Sequence, residues 1–395
     1  MNPYRGLKNI PRNIWLLSAA TLINRAGTMV MPFLVLYMTS ELNVTPGSAG
    51  FVLTFYGIGA LIAGPFAGKL SDKIGAMTLM KLSLIFSGIF LFIYSLVTDY
   101  IILLILTLVW ASIAEGFRPA SLSYISDQIE VNRRKTAFAL NRLAINLGMS
   151  IGPVVGGILS TIDFSLLFYI DGITSVAAGI FLILTRWDTV KIENEDRKEI
   201  KEEQTPAPKI FKDIRFVYFL LAFIPVQIIF FQYIGAMSLY LVNELGYAAS
   251  TFGALIAVNT VLIIFVEVPL NDAMSGWANW KSLALGALLS GIGFGTLAFA
   301  HDIGSIIIAI VIWTFGEMIL FPAGAAYVAE ISPESKRGEY MGYFMMTFSL
   351  SFTIGPWLGT EVYEYYGAQI LWSVVFVFGL ISTLLLMRLK KYEQK

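Results

Sequence analysis

Twelve runs of mainly apolar residues follow one another along the chain, at approximately 13–40, 46–68, 77–97, 100–126, 136–160, 164–186, 213–243, 249–270, 281–300, 303–330, 338–364 and 368–389. A helix needs about 20 such residues to cross the hydrocarbon core of a bilayer, and a backbone surrounded by lipid must satisfy all its own hydrogen bonds. The expectation is therefore an all-α integral membrane protein with twelve transmembrane helices. A content of 57% hydrophobic against 14% charged residues agrees with it, because no water-soluble core requires so much apolar surface. The first run follows a basic N-terminus and is too long for a signal-peptide core of roughly 7–15 residues, so it is read as a retained span.

Connections between the runs are short, with one exception. "RWDTVKIENEDRKEIKEEQTPAPKIFKDIR" (186–215) is charged, contains Pro206 and Pro208, and separates six runs from six. The expected domains are a six-helix bundle over 1–186, a linker over 187–212 and a second six-helix bundle over 213–395. Of the 27 basic residues, 24 fall on the termini, the linker and the alternate loops that share their side. The excess of Lys and Arg on cytoplasmic loops then places both termini and the linker inside the cell, in its plasma (cell inner) membrane. The three basic residues left over are Arg25, Arg118 and Arg142, all within spans of the first half.

The halves repeat. An offset of 203 positions lays Pro119-Ala120 on Pro322-Ala323, Asp127 on Glu330, Arg134 on Arg337, Gly152-Pro153 on Gly355-Pro356 and Gly156 on Gly359. A parallel repeat of two six-helix halves is an arrangement of secondary transporters.

Between spans 2 and 3 lies "GKLSDKIGAM", in which Gly68, Leu70, Asp72, Lys73 and Gly75 are spaced as G-x-L-x-D-[RK]-x-G. Span 5 contains "NLGMSIGPVVGGIL", with Gly148, Gly152, Pro153, Gly156 and Gly157, and span 10 reads "WTFGEMILFPAG". These elements, with the repeat and the linker, resemble the major facilitator superfamily, and the glycine-proline element resembles its 12-span multidrug/proton antiporter branch. The resemblance implies that Gly68, Asp72, Lys73 and Gly75 form a cytoplasmic gate. Ala76 and Met77 stand where the family has a basic pair, so Arg133 or Arg134 is the expected partner of Asp72, and Glu267, before Pro269 at the foot of span 8, is a separate expected gate contact. It also implies that the span 5 element is a packing and bending motif, and that spans 1, 4, 7 and 10 line a central cavity. Span 4 departs from the family by carrying Ser112 where an Arg is usual; Arg118 is the candidate replacement.

An ionised group near mid-membrane costs roughly 2.5–3.5 kcal/mol even on the lenient insertion scale, so such groups are functional candidates by default. Arg25, Glu115, Arg118 and Glu317 lie deepest, with Asp171 toward the outer end of span 6 and Arg142 nearer the cytoplasm. Glu115 and Arg118, three apart, share a helix face, and either take part in transport or balance each other and Arg25 as a static pair. Glu317 has no basic residue in the spans of its half and is the first candidate for carrying a proton, with Glu115 and Asp171 next. Asp171 equally fits a capping role. Asn24, Asn141, Gln227, Phe231, Tyr233 and Asn259 are candidate substrate contacts.

No metal site is expected, since the chain has no Cys and one His, His301, placed in an outer loop. No cofactor is expected, no phosphate-cradling loop is present, and a net charge of zero offers nothing to nucleic acid. With no nucleophile-and-base set, the chain is read as no enzyme but a monomeric transporter whose partners are protons, a small-molecule substrate and the lipid bilayer. Proton-coupled export of small amphipathic or organic compounds is the favoured expectation. Symport of a small, possibly anionic, solute stands beside it, because the three arginines fit an anion, and a non-transporting receptor is the third reading.

Overall fold

The structure, a computed structural model, describes residues 10–129, 134–188, 210–333 and 336–393. Among the described residues there is no β-strand, and the helices follow the apolar runs. Span 1 is α1 (Arg12–Ala26) followed by α2 (Val30–Ser40), and spans 2 and 3 are α3 (Pro46–Ile74) and α4 (Ala76–Tyr94). Span 4 is α5 (Tyr100–Ala114) followed by α6 (Phe117–Gln128), and spans 5 and 6 are α7 (Arg134–Ser160) and α8 (Ser165–Leu184). In the second half α9 (Ile214–Phe230) and the short α10 (Ala236–Leu239) make up span 7. Spans 8 to 10 are α11 (Ala249–Ala273), α12 (Asn279–Thr296) and α13 (Ile303–Ile331), and α14 (Arg337–Met387) continues to the final turn α15 (Lys390–Glu393).

Eleven stretches among the described residues are long and apolar enough to cross a membrane. The last has 54 residues. At 1.5 Å per residue that is about 80 Å of helix against about 30 Å of hydrocarbon, so it holds two crossings, spans 11 and 12. They meet at Gly367, whose φ of 79° and ψ of 170° only glycine adopts without strain. Large apolar side chains such as Phe66, Leu184, Phe265 and Val268 are about 70% or more exposed, which lipid rather than water accounts for.

The chain forms two compact units, Met1–Met31 with Ile58–Glu203, and Pro32–Gly57 with Gln204–Lys395. In the first, α1 packs along α7 and α8 while α4 packs along α5, α6 and α8. Its core includes Ile14, Leu17, Ala20, Phe117, Ala120 and Leu140. In the second, α9 packs along α14, α12 along α13 and α14, and α11 along α13. That core is aromatic: Phe216, Phe219, Phe223, Phe252, Phe294, Tyr327, Tyr340, Phe344 and Trp372 are all under 2% exposed. Residues 32–57 join this unit through specific contacts. The Phe33 ring meets Phe252 edge-on at 5.4 Å, Thr54 donates to the Thr353 carbonyl at 2.8 Å, and the Gly47 N–H donates to Glu364 at 2.6 Å.

The 203-residue repeat extends to caps and packing. Asp99 accepts from the Ile102 N–H at the start of α5, and Asp302, at the same offset, accepts from the Ser305 N–H at the start of α13. A side chain added at Gly152 would meet the Thr28 and Arg25 carbonyls, and one added at Gly355 would meet Ile228, the offset equivalent of Arg25. Span 5 thus approaches span 1 backbone to backbone as span 11 approaches span 7. Gly148 serves the same seam: a Cβ there would lie 2.8 Å from the Ala26 nitrogen. Within α7 the helix passes through Pro153 without a break, and Gly156 and Gly157 are buried.

Spans 1 and 4, expected as continuous helices, are each interrupted. Both restart with proline as the third residue, Pro32 in α2 and Pro119 in α6. A proline cannot donate to the carbonyl four residues back, Thr28 or Glu115, but in a first helical turn its missing N–H costs nothing. At the end of α5, Ser83 from α4 donates to the carbonyls of Ile113 and Ala114 at 2.5 and 3.3 Å. Pro322 is the repeat equivalent of Pro119, yet α13 runs straight through it. The difference is Asn271, whose Nδ2 donates to the Met318 carbonyl that Pro322 leaves open, at 2.9 Å. In the first half the same offset places Gly68, which has no side-chain donor. Asn271→Ala is therefore expected to lower stability by about 1–2 kcal/mol, the cost of an orphaned buried carbonyl, read as thermal unfolding in detergent.

Candidate functional site

In the second unit, α11 lies along α13 and brings together residues far apart in sequence. Asn259 of α11 donates its Nδ2 to Glu317 Oε2 at 2.7 Å and to Thr314 Oγ1 at 3.1 Å. Thr314 passes its own proton to the Ile310 carbonyl at 2.6 Å, so its oxygen is left to accept. Aromatic rings surround the neighbouring turn. Tyr233 stacks on Trp313 with centroids 6.3 Å apart, Trp313 stacks on Phe294 at 5.0 Å, and Phe230 meets Trp313 edge-on at 5.9 Å. The Trp313 indole Nε1 is buried and has no hydrogen-bond partner among the described residues. A carboxylate only accepts, whereas a carboxylic acid also donates; the Asn259 amide carries both a donor and an acceptor and can bond either form of Glu317.

In the first unit, Arg25 of α1, Arg118 of α6 and Arg142 of α7 line one cavity of about 230 Å³. Glu115 ends α5 and is half-buried, and the turn at 115–116 interrupts the helix face it was expected to share with Arg118. Asp171, 5% exposed on α8, accepts through Oδ2 from the N–H groups of both Met29 and Val30, each at 3.1 Å. It caps the N-terminus of α2, exposed by the interruption in span 1.

The other sequence candidates divide between cavity-lining and packing positions. Asn141 lines the arginine cavity and accepts from Thr21 at 3.1 Å, and Asn24 donates to Ser175 at 3.3 Å. Phe231 meets Phe352 edge-on at 5.1 Å. Gln227 is fully buried against Ser351, so it packs α9 on α14. Glu267 is 9% exposed, and its carbonyl accepts from Asn271 at 2.8 Å. At the expected gate, Gly75 takes φ 88° between α3 and α4 and Lys73 is exposed. The surroundings of Gly68 and Asp72, the Arg134 side chain and the whole of Arg133 lie outside the described residues. Gln232 was missed in the sequence. Its Nε2 donates to the Ile228 and Gly355 carbonyls at 3.1 and 2.8 Å, holding span 7 to span 11 where Gly359 leaves room.

Comparison with known proteins agrees with this architecture. The family model described as Major Facilitator Superfamily matches residues 16–316 and 227–395. An uncharacterized MFS-type transporter, YqjV, of Bacillus subtilis (strain 168) is 24% identical over 392 residues, covering 97% of this chain and 93% of that protein. Multidrug resistance protein 1 of the same organism is 24% identical, covering 82% and 83%, and a Na(+), Li(+), K(+)/H(+) antiporter of Planococcus maritimus is 24% identical, covering 85% of each. Among solved structures, the nucleoside transporter NupG superposes with a TM-score of 0.78 at 16% identity, covering 97% of this chain and all of that one. A peptide transporter POT in complex with sulfate gives 0.79 at 16% identity, covering 97% and 95%. Twelve membrane crossings, a 203-residue internal repeat and a family match along nearly the whole chain identify a multi-pass membrane transporter that belongs to the major facilitator superfamily.

Proposed function

We propose that this transporter is a proton-coupled exporter, exchanging inward-moving protons for small amphipathic organic compounds. It works as a monomer in the cell inner membrane, with its termini and linker in the cytoplasm. The observation that carries the reading is the Glu317–Asn259 pair, a membrane-embedded carboxyl with a partner able to bond both of its protonation states. The aromatic rings of Tyr233, Trp313 and Phe230 beside it suit apolar parts of a solute. In the cycle, protonation of Glu317 from outside accompanies substrate release, and loss of the proton to the cytoplasm resets the site. Relatives named for multidrug resistance and for cation/proton antiport support exchange as the mode.

Import of a small anionic solute together with protons is the second reading, favoured by the three arginines on one cavity. The two differ in the sense of coupling, which does not depend on how the protein inserts in a vesicle. Proteoliposomes loaded at acid pH and diluted into alkaline buffer are expected to take up amphipathic substrate while their lumen turns alkaline. Solute leaving with the protons would overturn export in favour of symport, and binding without flux would overturn both.

A further inference from the structure

Two lysines from distant parts of the second unit meet at one aromatic ring. Lys281 Nζ lies 5.7 Å from the centroid of the Trp280 ring, and Lys390 Nζ, near the end of the chain, lies 5.6 Å from it. Both distances are inside the roughly 6 Å over which an indole face attracts an ammonium group. The packing of two helices brings the lysines there. A Cβ added at Gly291 of α12 would meet Gly379 of α14, and one added at Gly295 would meet Phe376, so the two helices run antiparallel. Carried on to the start of α12 and the end of α14, that register sets Lys281 against Lys390. Both are the ends of membrane-crossing stretches, so the pair stands at a membrane boundary, where tryptophan is enriched.

Neither ammonium group is paired with a carboxylate among the described residues. Glu330 of α13 also reaches the start of α12, but Asn279 Nδ2 donates to it at 2.6 Å. Asn279 and Lys281, two apart, do not share a helix face, so Glu330 serves the other side of α12. Both lysines are exposed and open to a ligand from outside. Leu384 and Met387, in the last two turns of α14 before Lys390, are exposed apolar side chains. Two like charges at one ring repel each other, and an anion shared between them removes that repulsion. A soluble anion would use the cations alone. A phospholipid uses both parts, its phosphate meeting the ammonium groups and its acyl chains lying along Leu384 and Met387. Net charge then selects among lipids, because phosphatidylcholine carries beside its phosphate a cation that the two lysines repel and phosphatidylglycerol does not.

We infer that Trp280, Lys281 and Lys390 form a binding site for the head group of an anionic phospholipid, with the indole ring holding the two ammonium groups in place. The inference rests only on the chain spanning a membrane. It does not depend on the solute, on Glu317 or on the direction of coupling.

The test is native mass spectrometry of the full chain in detergent, titrated with dioleoylphosphatidylglycerol or dioleoylphosphatidylcholine, which reads an apparent Kd for the first bound lipid. An exposed ion pair contributes up to about fivefold, so two lysines are expected to give phosphatidylglycerol about a tenfold preference. The double variant Lys281→Ala, Lys390→Ala is expected to bind both lipids alike. Trp280→Leu keeps both charges and an apolar side chain but loses the ring, and should weaken phosphatidylglycerol binding by about threefold or more. Lys391→Ala removes an exposed lysine beside the pair and should change binding by less than about twofold, because detergent offers no charged surface to which every lysine contributes. Size-exclusion elution and unfolding temperature identical to wild type establish the fold of each variant, and the exposed lysines allow the test even where Trp280→Leu is unstable. Equal affinity of wild type for the two lipids, equal losses in Lys391→Ala and the double variant, or unchanged binding in folded Trp280→Leu would overturn the site. Displacement of phosphatidylglycerol by equimolar glycerol 3-phosphate, a phosphate without chains, would make the ligand a soluble anion and overturn its assignment to lipid. Retention of the lipid in its presence supports that assignment.

Discussion

Glu317→Gln is expected to abolish gradient-driven accumulation of substrate while leaving the protein folded. A pH difference of one unit is worth about 1.4 kcal/mol per proton, so one-for-one exchange supports at most about a tenfold solute ratio per pH unit. Without a titrating group at 317 the gradient has no hold on the solute, and the ratio across the proteoliposome membrane settles at one. The fold survives because a Gln amide keeps both a donor and an acceptor, so its bond to the Asn259 amide, now 2.7 Å from Oε2, can be remade. Downhill exchange of labelled for unlabelled substrate should therefore persist in the variant. That persistence separates a coupling role from a purely structural one. If the variant still accumulates substrate to the wild-type ratio, Glu317 does not carry the proton.

The number and order of crossings are legible in the sequence because each depends on one local property, about 20 apolar residues in a row. The repeat was legible too, and the structure extends it to the caps Asp99 and Asp302 and to the packing of Gly152 and Gly355. What the runs conceal is where a helix stops inside a span. Pro32, Pro119 and Pro322 are visible as letters, but only the first two coincide with interruptions. The reason is tertiary: Asn271, 47 residues before Met318, repairs the third. The candidate sites follow the same division. Arg25, Arg118 and Arg142 stand out in the sequence as the basic residues that the loop rule leaves unplaced, and the structure puts all three on one cavity. The bond from Asn259 to Glu317 spans 58 residues and has no local signature, nor does the hold of Gln232 on the Gly355 carbonyl.

Asp171 shows how a charge in a span can be structural, and its two simplest substitutions should behave very differently. Span 1 stops at Ala26 and restarts at Val30, which turns the free N–H groups of Met29 and Val30 into a buried helix start. One oxygen, Asp171 Oδ2, accepts from both at 3.1 Å. In Asp171→Ala both donors are left buried without an acceptor and the partial positive charge of the helix start is left unopposed. At about 1–3 kcal/mol for each unsatisfied donor, a loss of about 2–6 kcal/mol is expected. It would appear as a large drop in thermal unfolding temperature and in yield of monodisperse protein. Asp171→Asn retains an oxygen on the same arm, able to take both bonds, and gives up only the charge. It should cost about 1 kcal/mol or less and leave gradient-driven accumulation intact, because a cap need not titrate. A proton carrier would give the opposite pattern, a stable Asn variant that no longer accumulates substrate. The Asn variant therefore decides whether the carboxyl at 171 moves a proton or holds together the break in span 1.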